Sequence, residues 1–77
     1  MRPDERLSSS LEDYLETILA VVQEKKAARV KDIVSRMQVK ASSVTGALRL
    51  LTDRGLINYA PYDLITLTEK GEQIARD

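Results

Sequence analysis

The apolar positions of this chain repeat with two different periods. Leu11, Tyr14, Leu15, Ile18, Leu19 and Val22 fall at i, i+3, i+4, i+7, i+8 and i+11, the stripe of an amphipathic helix. Ser9 and Ser10 offer it an N-cap, with Glu12 or Asp13 three residues on to complete a capping box, and it is expected to end near Glu24 to Lys26. Ala28-Arg29-Val30 reads as a short extended piece. Ile33, Val34 and Met37 then supply the apolar face of a second helix of about two turns, Lys31 to Met37, with Lys31 a poor residue at its cap. Gln38 to Ala41 forms a turn, with Val39 pointing inward. A third helix opens at Ala41 or Ser42. Val44, Leu48 and Leu51 share its core face, while Ser42, Thr45, Gly46, Arg49 and Asp53 lie opposite. Gly55 closes it as a left-handed stop, after Arg54 near the negative end of the helix dipole.

Beyond Gly55 the period shortens to two. Leu56-Ile57-Asn58-Tyr59 and Ile65-Thr66-Leu67 alternate, and Ala60-Pro61-Tyr62-Asp63 between them has turn chemistry, so a hairpin is expected. Thr68 then caps a last helix, Glu69 to Arg76, with Ile74 and Ala75 as its apolar anchors. The order of elements predicts a mainly α fold with a small β-hairpin. This is a winged helix-turn-helix, a three-helix bundle plus a two-stranded wing, over residues 9–77 behind a loose polar tail of residues 1–8.

Composition narrows the chemistry. The 77 residues are enough for one small core, which is aliphatic because Tyr supplies all three aromatics. With no Cys and no His, thiolate metal sites, disulfides and the commonest general base are excluded. Only carboxylates, Lys, Tyr and Ser remain as reactive groups, without a nucleophile–base spacing or a phosphate-cradling glycine loop, so an enzyme is not expected. No apolar run approaches the roughly 18 residues of a membrane span, and no signal peptide is recognised, so a cytoplasmic location without membrane contact is expected.

The formal net charge of zero conceals segregation. Residues 25–54 carry eight basic side chains against Asp32 and Asp53, a net +6, while both ends are acidic. Such a basic middle is the footprint of a nucleic-acid surface, although a solvated basic face would look the same. The third helix sharpens the choice. Short Ser42, Ser43 and Thr45 side chains allow close approach to base edges in a major groove, and Arg49 can bond a guanine or a phosphate. Lys40 and the first N–H groups of the helix can hold a phosphate, as can Arg29 and Lys31. Ser42 or Ser43 would alternatively serve only as a cap, whereas Thr45 has no such role. Gly46 costs about 1 kcal/mol of helix stability relative to Ala, which a close backbone approach to DNA would rationalise. Tyr62 at the hairpin tip can reach sugar or phosphate, or pack on Pro61. Asp63 and Leu64 attract neither.

Five strings carry a resemblance. Ser10 to Ile18 (SLEDYLETI), Ala28 to Ile33 (ARVKDI), Ser42 to Thr45 (SSVT), Pro61-Tyr62 and Leu67 to Gly71 (LTEKG) resemble, in order, the metal-dependent repressors of the diphtheria-toxin repressor and manganese-transport regulator family. The match spans about residues 9 to 75. It implies a DNA-binding transcriptional regulator, repressor-like, in which the third helix reads double-stranded DNA. It also implies Asp13 and Glu16 as N-terminal ligands of a manganese or iron divalent cation. The family's other ligands, largely His and Glu, and its dimerisation helices come from beyond the winged domain. Two carboxylates alone would make a weak oxygen-only site, and a homodimer or a partner protein is needed for specific binding. Leu50 stands where the family commonly has a basic residue, and Asp63-Leu64 where it often has Arg-Gly. These departures leave one alternative, a winged helix used as a protein-interaction module with vestigial DNA binding.

Overall fold

The computed structural model describes residues 7–77, the side chain of Asp63 excepted. Four helices and one antiparallel hairpin follow in the expected order: α1 (Ser9–Lys25), α2 (Val30–Met37), α3 (Ala41–Asp53), β1 (Ile57–Ala60), β2 (Leu64–Leu67) and α4 (Glu69–Arg76). The expected tail falls, over residues 1–6, outside the described residues. Its last two residues belong to the domain: Leu7 packs against the core, and Ser8 is the N-cap of α1, its Oγ accepting from Leu11 N–H at 3.2 Å. Ser9 and Ser10 are therefore inside the helix rather than capping it. Seating Leu7 in the core fixes where the chain enters α1, a long-range constraint that three consecutive serines do not reveal.

The core face of α1 is Leu11, Tyr14, Leu15, Ile18 and Val21, with Val22 only partly buried. The stripe is rotated toward Val21 because α1 packs against α2, α3, α4 and β2 together, not against one neighbour. Leu15, Ile18, Ile33, Val44, Leu48, Leu51, Leu56 and Ile65 complete a dry centre.

Ala28 is fully buried and forms a two-bond antiparallel bridge with Ile65, its N–H donating to the Ile65 carbonyl at 2.9 Å and its carbonyl accepting from Ile65 N–H at 2.8 Å. The extended piece before α2 thus pairs with the other edge of β2 as a one-residue third strand. α2 begins at Val30, not at Lys31. Its N-cap Arg29 is helped from the third position, where the Asp32 carboxylate accepts the Arg29 N–H at 3.0 Å.

α3 ends in a Schellman motif: Leu56 N–H donates to the Leu51 carbonyl at 3.0 Å and Gly55 N–H to the Thr52 carbonyl at 2.9 Å, with Gly55 at φ +72°. The wing is short. β1 and β2 pair from Ile57↔Leu67 to Ala60↔Leu64, joined by a single 3-10 turn at Pro61–Asp63. Leu64 is thereby a half-buried strand residue, not the exposed aliphatic that a longer turn would have presented. Thr68 caps α4 by accepting Gly71 N–H at 3.0 Å and ties it to the end of α3 by donating to the Gly55 carbonyl at 2.7 Å.

Candidate nucleic-acid interface

α2 and α3 are joined by Gln38 in a left-handed conformation (φ 57°, ψ 46°), with half-buried Val39 anchoring the turn as its sequence suggests. The turn leaves one side of α3 to solvent. Val44, Ala47, Leu48 and Leu51 are buried, whereas Ser42, Ser43, Thr45, Gly46, Arg49 and Asp53 are exposed. The sequence-predicted face is therefore on the surface, and four of its members come together. Ser42, Thr45, Gly46 and Arg49 border one open depression of about 250 Å³.

Neither serine caps the helix. The N-cap is Lys40, and among the described residues no side-chain cap hydrogen bond is made there, so the positive end of α3, which carries Lys40, is open to an anion. Thr45 does have a local role: its hydroxyl donates to the Ser42 carbonyl at 3.1 Å. That bond ties up the proton and leaves the methyl and the oxygen lone pairs for contact.

The remaining predicted residues come from other elements. Arg29 and Lys31 stand exposed at the start of α2. Tyr62 is at the wing tip, 87% exposed and in a left-handed conformation at φ 67°, so it does not pack on Pro61 in any protective sense. Tyr59 was not among the predicted residues. It projects from β1 and, with Thr45, Arg49, Thr52 and Asp53, lines a second depression between α3 and the wing. Tyr59 shares its strand face with buried Ile57 and pairs with buried Ile65, so strand alternation gives no sign of its exposure.

The basic segment is less available than its count implies. Lys25 bonds the Asp32 carboxylate at 2.9 Å, and Arg36 pairs with Glu24. The Lys25 hydrogen bond, opposed by partial burial and reinforced by the Arg29 N–H, holds the Asp32 carboxyl below its usual value. Both pairs bind the end of α1 to α2, so these two cations serve the fold. Leu50 is 51% exposed on the flank of α3, near Ser8, Leu11 and Tyr14 of α1.

Asp13 and Glu16 lie exposed one turn apart on α1. Among the described residues no group of three or more potential ligands gathers there or elsewhere. Two carboxylates alone supply few donors and little selection for manganese or iron. Among the described residues no helix is long and apolar enough to cross a membrane.

Three comparisons with known proteins bear on the family and the fold. Residues 6–64 match the family described as iron dependent repressor, N-terminal DNA binding domain. The HTH-type transcriptional regulator MntR of Shouchella clausii is 40% identical over 67 residues, covering 87% of this chain and 47% of that protein. An uncharacterized HTH-type transcriptional regulator of Methanocaldococcus jannaschii is 38% identical over 71 residues, covering 91% and 57% respectively. The chain thus spans about half the length of the relatives it matches. Among solved structures, reduced MarR from E. coli superposes with a TM-score of 0.80 at 18% identity, over 91% of this chain and 49% of that one. BpsR of Bordetella bronchiseptica gives 0.74 at 24% identity, over 96% and 54%. These last two show the winged-helix fold, and the regulators among the relatives do not favour the interaction-module alternative. The chain belongs to the iron-dependent repressor family, which it matches through that family's N-terminal DNA-binding domain.

Proposed function

We propose that this chain is the DNA-binding part of a repressor-like transcriptional regulator, with α3 in the major groove of duplex DNA. The observation that carries the reading is the solvent side of α3. Ser42, Thr45, Gly46 and Arg49 share one depression, and the uncapped positive end of the helix lies beside Lys40. In this reading Lys40 and the first-turn N–H groups hold a phosphate, and Arg29 and Lys31 add backbone contacts from α2. Ser42, Ser43, Thr45 and Arg49 meet base edges, and Tyr62 touches the sugar–phosphate surface beside the wing. These contacts position and read. They perform no bond chemistry.

Affinity comes mainly from neutralised phosphates, and one domain of this size reaches few of them. A second copy, giving two half-sites about one helical turn apart, is the arrangement that makes binding specific. Any manganese or iron response requires ligands additional to Asp13 and Glu16.

Fluorescence anisotropy with a labelled random-sequence duplex, paired with light scattering on the same sample, tests the proposal. Binding at about 50 mM salt that weakens steeply as salt rises is the expected result. A chain that ignores duplex DNA at that ionic strength would overturn it.

A further inference from the structure

Gly46 occupies the middle of α3, where glycine is the second-worst helix former after proline. Glycines in such places usually answer to packing or to backbone conformation. Neither applies here: a Cβ built on Gly46 meets nothing within 4 Å, and its φ is not positive. Gly71 in the same fold shows the contrast, since a Cβ there would fall 1.8 Å from the Leu56 carbonyl oxygen. The fold demands Gly71 and does not demand Gly46.

What the missing side chain leaves is space on the outward side of α3. Gly46 borders both the depression it shares with Ser42, Thr45 and Arg49 and the neighbouring one that extends past Ser43 to Leu50. The Thr45 hydroxyl is engaged by the Ser42 carbonyl, so beside the notch over Gly46 Thr45 keeps its methyl for apolar contact. Arg49 follows one turn further along the same face. The open space over Gly46, where a built Cβ meets nothing within 4 Å, followed by a guanidinium, has room for the major-groove edge of a thymine next to a guanine: the C5-methyl takes apolar contact, and the guanine O6 and N7 accept a bidentate Arg.

We infer that Gly46 is a specificity-determining residue, its missing side chain forming the seat for a thymine methyl while Arg49 reads an adjacent guanine. This rests on the DNA-reading role proposed above. Filling the notch should improve the protein and damage its recognition, two effects of opposite sign that a merely structural glycine cannot produce.

The test begins with a duplex selected from a random pool by the full chain, then compares wild type, Gly46→Ala and Gly46→Leu. Gly46→Ala is expected to raise Tm by about 4–8 °C while weakening the selected duplex about three- to ten-fold, and Gly46→Leu to weaken it more than about ten-fold. Replacing the seated thymine by deoxyuridine, which removes only the methyl, should weaken wild type about three- to ten-fold and leave Gly46→Leu unchanged. Equal affinity of wild type and Gly46→Leu, or indifference of wild type to deoxyuridine at every thymine, would overturn the inference while leaving DNA binding intact. Failure of wild type to select or bind any duplex would overturn both.

Discussion

Gly71 and Leu56 approach so closely that no side chain fits between them: a Cβ on Gly71 would lie 1.8 Å from the Leu56 carbonyl oxygen. The same carbonyl accepts Thr68 N–H at 3.1 Å. The start of α4 is therefore locked against the residue that links α3 to the wing. Gly71→Ala must push α4 away and disturb that bond, at a cost of about 1–3 kcal/mol. Thermal unfolding followed by circular dichroism should show Tm lowered by roughly 4–20 °C. An unchanged Tm would mean that α4 does not seat as described.

Tyr62 combines two features that the fold alone does not favour, a left-handed backbone at φ 67° and a side chain 87% exposed. A bulky residue in that region is strained by about 1–2 kcal/mol, which glycine is not. Tyr62→Gly should thus leave stability equal or higher while weakening duplex binding several-fold. Parallel unfolding and anisotropy measurements decide the matter, and full retention of affinity would remove Tyr62 from the interface.

Asp32 ties α2 to α1 and supports its own helix start, accepting from Lys25 of α1 and from the Arg29 N–H at the cap of α2. Because its carboxyl is held below the usual value in the fold, its contribution is present above the ordinary carboxylate range. It disappears as pH falls through the lowered value. Asp32→Ala should cost about 1 kcal/mol at neutral pH, and the gap from wild type should close toward pH 3. Urea unfolding at both pH values checks this, and a gap independent of pH would contradict it.

The elements legible in the sequence were those set by local rules. The helical period from Leu11, the Gly55 stop, the Thr68 cap and the two strands around Pro61 are each set within a few residues, and the elements they mark appear in the expected order. The buried stripe of α1 nevertheless takes Val21 in place of Leu19 and Val22, and β1 buries only Ile57. Features that depend on distant partners were hidden. Ser8 rather than Ser9 caps α1 because Leu7 reaches the core. The Ala28 bridge needs Ile65, 37 positions away. The α3 face was legible because its pattern is helical, whereas Tyr59 entered the site only through the approach of β1 to α3. Charge counting misled in one respect. It could not tell that Lys25 and Arg36 are engaged by Asp32 and Glu24.

That distinction between engaged and available cations supplies the most direct test of DNA recognition by α3. The measurement is the slope of log Kobs against log salt for duplex binding by wild type, Lys40→Ala and Arg36→Gln. A slope of several units is expected for wild type, reduced by about one in Lys40→Ala and unchanged in Arg36→Gln. Absence of binding at low salt, or a slope that falls with Arg36 and not with Lys40, would contradict the assignment.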